Sequence, residues 1–196
     1  MKNFRKILVA TLMIVGSQLA MAEGLYVLGA VGSTIPASSV KSDTDTVLTA
    51  LGVRNLSSSM SNGTSMAGAL GYAINENFAV EGGYLNSGKM TYSATATGAT
   101  INVDVTVTAM QVALLGVAPM NDKFSLFGKI GYSWTTATTS GTVNSVAIAS
   151  TSTNKTSTGY GAGAMYKFTD QLSLRASYEV YASDATGFLF GLQFKF

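Results

Sequence analysis

The residues that carry charge inside the apolar segments of this chain all sit on the face opposite the apolar one. In Phe124–Trp134, Phe124, Leu126, Ile130, Tyr132 and Trp134 share one parity, while Ser125, Phe127, Lys129, Gly131 and Ser133 share the other. In Leu172–Tyr181, Leu172, Leu174, Ala176, Tyr178 and Val180 oppose Ser173, Arg175, Ser177, Glu179 and Tyr181. In the stretch from Asn77 to Leu85, Phe78, Val80, Gly82 and Tyr84 oppose Glu81 and its neighbours. A period of two is the signature of a β-strand with two different environments on its faces. It excludes amphipathic helices as the main elements.

Eight segments read this way, roughly Leu25–Gly32, Ser65–Ile74, Phe78–Leu85, Val105–Ala118, Phe124–Trp134, Thr158–Phe168, Leu172–Tyr181 and Phe188–Phe196. Most approach the 9–11 residues that a tilted strand needs to cross a bilayer. The connections alternate in length. Asn75-Glu76-Asn77, Pro119–Lys123 and Thr169-Asp170-Gln171 are tight and built from turn formers. Ser33–Thr64, Asn86–Asp104 and Thr135–Ser157 are long linkers rich in Ser, Thr, Ala and Gly, and Ala182–Gly187 is short. An even strand count with short turns at one end and long loops at the other predicts an all-β fold: an eight-stranded antiparallel transmembrane β-barrel with short periplasmic turns and longer external loops.

Composition agrees. Charged residues make up 11% of the chain, well below the level of ordinary soluble domains, yet no later segment is apolar for long enough to form a membrane helix. Aromatics near the strand ends (Phe78, Tyr84, Phe124, Tyr132, Trp134, Tyr166 and Tyr178) suit interfacial girdles.

The amino terminus has the order of a secretory signal. Lys2, Arg5 and Lys6 precede the apolar run Ile7–Val15, and Ala20-Met21-Ala22 forms a small-x-small site before Glu23. Residues 1–22 are therefore expected to be removed, leaving a barrel domain over 23–196. That step takes away three of the twelve basic residues, so nine Lys/Arg face ten Asp/Glu and the net charge becomes −1. No basic cluster remains for nucleic acid.

The segment Phe188–Phe196 places Phe188, Phe190, Leu192, Phe194 and Phe196 on one face and ends on an aromatic residue. It resembles the final-strand signal recognised by the outer-membrane assembly machinery. Together with Gly24–Ala30, Gly71–Tyr84 and Phe127–Tyr132, it makes the chain similar to the OmpA-like and OmpX-like eight-stranded barrels over essentially all of Glu23–Phe196. The resemblance implies the Gram-negative outer membrane, with outer-membrane lipid and lipopolysaccharide as surroundings and a monomeric barrel. Because the chain stops at Phe196, the periplasmic peptidoglycan-binding domain of longer members is expected to be absent.

The inward parity collects Glu81, Gln111, Lys129, Arg175 and Glu179, with Gly159, Gly161 and Gly163 leaving space between the fifth and seventh segments. Charges inside a narrow barrel are stable only when paired or hydrated. Lys129 and Arg175 are expected to reach Glu81 and Glu179 and form a polar plug, and the resemblance implies an interior salt-bridge network of that kind.

With no His and no Cys, the chain lacks a Ser–His pair, a thiol nucleophile and a His-based metal site. No enzymatic activity, cofactor or metal is expected. Asp43, Asp45 and Asp104 read as solvated loop carboxylates, with weak Ca²⁺ binding as the alternative. The expected role is a structural barrel serving envelope integrity; the alternatives are an adhesin whose mobile external loops meet a host or phage surface, and a narrow low-conductance pore.

Overall fold

The computed structural model describes residues 24–50, 53–182 and 185–196. The expected signal segment 1–22 lies outside the described residues. Nine strands and one helix follow in chain order. They are β1 (Leu25–Pro36), α1 (Ser38–Ala50), β2 (Ser57–Met60), β3 (Gly63–Ala73), β4 (Phe78–Ala96), β5 (Ala99–Pro119), β6 (Phe124–Val143), β7 (Val146–Lys167), β8 (Leu172–Ala182) and β9 (Ala185–Lys195).

Eight of the strands close on themselves. Each of β3 to β8 pairs antiparallel with the next, and β1 pairs with β3 on one side and β9 on the other. Closure pairs both edges of the strands along the height of the apolar belt, a requirement for a sheet standing in hydrocarbon. The ninth strand, β2, is an addition outside the ring and pairs only with β4.

The turns at one end share one local chemistry. Asn75 Oδ1 accepts from the amides of Asn77 and Phe78 at 2.9 and 2.8 Å, and Asn121 Oδ1 accepts from Lys123 and Phe124 at 3.0 and 2.9 Å. Thr169 Oγ1 accepts from the Leu172 amide at 3.0 Å. These side chains replace the backbone partners that a reversing chain loses, so three residues suffice for a turn.

The other end differs from the sequence expectation. Asn86–Asp104 and Thr135–Ser157 are not loose linkers but continue the strands. β4 to β7 run 19, 21, 20 and 22 residues, about twice a membrane span. Their tips are two-residue turns, Thr97-Gly98 and Asn144-Ser145, the latter with φ of +49° and +67°. Positive φ at both central residues matches the right-handed twist of the flanking strands. The β-branched residues of these Thr- and Val-rich stretches favour a pleated sheet, which their low overall hydropathy obscures. Ser33–Thr64 likewise holds α1 and β2 rather than irregular chain.

Side-chain parity divides the ring. Leu70, Val80, Met110, Val112, Ile130, Tyr160, Phe190 and Leu192 form an exposed outer belt with Tyr84, Tyr132, Trp134 and Tyr178. Inside are two small apolar clusters, one of Tyr26, Ala79, Ala113, Leu115 and Phe127, the other of Ala30, Leu85, Ala109, Tyr181 and Leu189. A continuous apolar belt of this extent around a closed barrel suits a lipid-facing surface.

Candidate functional site

Between the two apolar clusters lies a layer of ions. Glu81 on β4, Lys129 on β6, and Arg175 and Glu179 on β8 are all inward and buried. Arg175 Nη1 donates to Glu81 Oε2 at 2.5 Å, and Lys129 Nζ lies 2.5 Å from Glu179 Oε2 and 3.5 Å from Glu81 Oε1. The two carboxylates and two cations sum to zero charge. Lys129 links the two carboxylates, while Arg175 contacts Glu81. Neutral bookkeeping of this kind is what allows charges to remain in a narrow lumen.

Glycines make the space. Gly71 pairs with Glu81, Gly161 with both Lys129 and Glu179, and Gly191 with Arg175. A Cβ on Gly161 would stand 3.0 Å from Glu179 Cγ, and one on Gly163 would stand 2.6 Å from the Phe127 ring.

Three contributors escape a sequence reading. Tyr26 on β1 donates its hydroxyl to Glu81 Oε2 at 3.1 Å, and Ser177 donates to Glu179 Oε1 at 3.0 Å. The Arg175 guanidinium lies 4.3 Å from the centre of the Phe127 ring, a cation–π contact. Inward parity was the available signal for all three, but parity does not say which inward residues meet. Gln111 stands apart from the ions and donates Nε2 to Ser133 Oγ at 3.0 Å.

The layer crosses the lumen, and the space beside Gln111, Lys129, Glu179 and Tyr181 amounts to about 30 Å³, room for a water or two. Beyond Tyr26 and Leu115, toward the tight turns, the barrel opens into a cavity of about 490 Å³.

On the opposite side, α1 is tied to the extended strands. Asp45 accepts from Lys41 at 2.8 Å, from Ser58 at 2.9 Å, and from the Tyr92 hydroxyl. These donors, Lys41 first, lower the Asp45 carboxyl from 3.8 to about 2. Asp104 is likewise lowered, by Lys89 at 2.7 Å and then Thr91 at 2.8 Å. Both carboxylates are thus engaged by protein donors, and no group of metal-binding side chains occurs among the described residues. Phe188, Phe190, Leu192 and Phe194 point outward from β9, and the Phe196 amide donates to Leu25 O at 3.0 Å at the seam with β1.

A closed ring of eight strands with an apolar outer belt, a polar interior and unequal ends defines a small transmembrane barrel of the Gram-negative outer membrane. The chain belongs to the outer membrane protein beta-barrel domain family, which it matches over residues 7–196. No curated protein matches it. Among solved structures it is similar to Ail, the attachment invasion locus protein of Yersinia pestis, in complex with the heparin analogue sucrose octasulfate. Identity there is 19% and the TM-score 0.51, over 89% of this chain and 99% of that one. OprG of Pseudomonas aeruginosa has 12% identity and a TM-score of 0.53, over 89% and 97% of the two chains. The N-terminal β-barrel domain of OprF from the same organism has 12% identity and a TM-score of 0.53, over 90% and 100%. At these identities the likeness concerns the fold.

Proposed function

We propose that this protein is a surface-interaction barrel, in which a sealed membrane ring carries a protruding sheet that engages an external protein. One observation carries the reading. From Val146 to Thr158, β7 pairs with β6 on one side, whereas its ladder with β8 begins only at Tyr160. Among the described residues the other edge of this stretch has no ladder partner. Such an edge is a template for strand addition. Its sequence contains no proline and the single charge of Lys155, so below the bulge at Ile148–Thr151 one lysine is the charge on the edge. A barrel of the same fold, Ail, is an attachment protein, so the scaffold supports this role.

The structural reading, a barrel serving envelope integrity, draws on the paired lumen, but the extensions of β4 to β7 exceed what it requires. The pore reading is opposed by the ion layer across the lumen.

The test replaces Thr136–Asn154 with Asn-Gly, joining the paired residues Thr135 and Lys155 by a two-residue turn. The ring should still fold, and binding of expressing bacteria to cultured epithelial cells should fall about tenfold or more, equivalent to about 1.4 kcal/mol. Unchanged binding would overturn the interaction reading.

A further inference from the structure

The cavity at the tight-turn end of the lumen is a cup whose walls and rim differ in chemistry. Its floor is the buried pair Tyr26 and Leu115, and Ala79, Val117 and Met165 continue an apolar wall toward the mouth. Its volume of about 490 Å³ falls within the range of about 300–1,000 Å³ typical of small-molecule sites.

Three polar side chains stand at the mouth. Gln193 and Lys195 share the inward parity of β9, and Glu76 lies on the turn between β3 and β4. Gln193 Oε1 is buried and accepts no hydrogen bond among the described residues. A buried acceptor left open is destabilising unless something donates to it. Among the described residues neither Lys195 nor Glu76 forms an ion pair, whereas Lys167, the inward cation of β7 at this end, is answered by Asp170 at 3.3 Å. From β9 across β1 to β3 is two strand spacings, about 10 Å, so one headgroup can span from Lys195 to Glu76.

We infer that the cup is a binding site for a short single-chain zwitterionic amphiphile of the lysophosphatidylethanolamine type. The acyl chain lies against Leu115, Val117 and Met165. The phosphate meets Lys195, the ammonium meets Glu76, and the glycerol hydroxyl donates to Gln193 Oε1. An apolar wall alone would take any oily molecule; the separated charges and the open acceptor at the rim select the headgroup. Position agrees, because the tight turns of such a barrel face the periplasm and the mouth opens at the level of the inner-leaflet phospholipids. The inference stands independently of strand addition at β7.

The test places the refolded chain, with isotope-labelled methionine methyl groups, in phospholipid nanodiscs and titrates octanoyl lysophosphatidylethanolamine by NMR. The Met165 methyl, on the wall of the cup, should shift to saturation. Met90, buried on the extension of β4, should not move, and Met110 on the outer belt reports partition into the bilayer. Lys195→Gln and Gln193→Leu should each weaken binding about tenfold. Glu76→Gln should weaken this probe by a similar factor and leave octanoyl lysophosphatidic acid, which lacks the ammonium, unaffected. Absence of a saturable Met165 shift would overturn the inference and leave the cup to water. Equal saturation by uncharged octanoylglycerol, or wild-type affinity in Lys195→Gln and Gln193→Leu, would also overturn it, since the rim would then select nothing.

Discussion

Lys129 Nζ sits 2.5 Å from Glu179 Oε2 across the width of β7, where the intervening paired residue is Gly161. The contact exists because β7 has no side chain at that level. Lys129 and Glu179 are 6% and 4% exposed in their side chains, so bulk water does not compete for either.

Removing one member of this pair should therefore cost more than removing both. Lys129→Met leaves the Glu179 carboxylate buried without its cation and is expected to destabilise the barrel by about 3–5 kcal/mol. Lys129→Met/Glu179→Met should recover most of that loss. Urea midpoints of both single variants and the double variant, refolded in detergent micelles, decide it, and a double loss equal to the sum of the two single losses would show that the pair is not coupled.

Space at β7 makes a second prediction. Gly161→Val puts methyl groups where Glu179 and the Tyr178 carbonyl already crowd a Cβ, and should cost about 1–3 kcal/mol by overpacking. Gly82→Ala, where a Cβ meets nothing within 4 Å, should change stability by no more than about 0.5 kcal/mol. The same urea titration compares the two.

Asp45 gives a pH dependence outside the membrane. Its carboxyl titrates near 2 in the folded state against 3.8 ordinarily, so its tie to Lys41, Tyr92 and Ser58 favours the docked α1 above about pH 4. That contribution should be lost as pH falls from about 4 through about 2. NMR shifts of α1 amides should move over this window, and Asp45→Asn should release the helix at neutral pH while the ring stays folded. A helix that stays docked in Asp45→Asn would place the anchor elsewhere.

For the end of β9, we propose that the outward row from Phe188 to Phe196 serves as an assembly signal. Phe196→Ser should then slow insertion by the outer-membrane machinery in cells while barely altering urea stability of protein refolded in vitro. Parallel losses in both measurements would reduce Phe196 to a seam contact with Leu25.

The alternation of Phe124–Trp134 and Leu172–Tyr181 was sufficient to place Lys129, Arg175 and Glu179 on one side of their strands, because side-chain direction in a strand is set by residue parity alone. The tight turns were equally local, since Asn75, Asn121 and Thr169 bond amides no more than three residues away. The extension of β5 carried the same period of two, as in Ile101, Val103, Val105 and Val107. It was hidden because the outward face there is polar and the sequence reads as a Ser/Thr-rich linker.

What the sequence by itself determined is thus the barrel, its strand faces and its tight turns. Only the tertiary structure decided that Arg175 bonds Glu81, 94 residues away, that Tyr26 joins them, and that Lys129 bridges the two carboxylates. The reason is geometric. Parity fixes which way a side chain points, but the height at which it meets another depends on the stagger accumulated from strand to strand until β9 closes on β1.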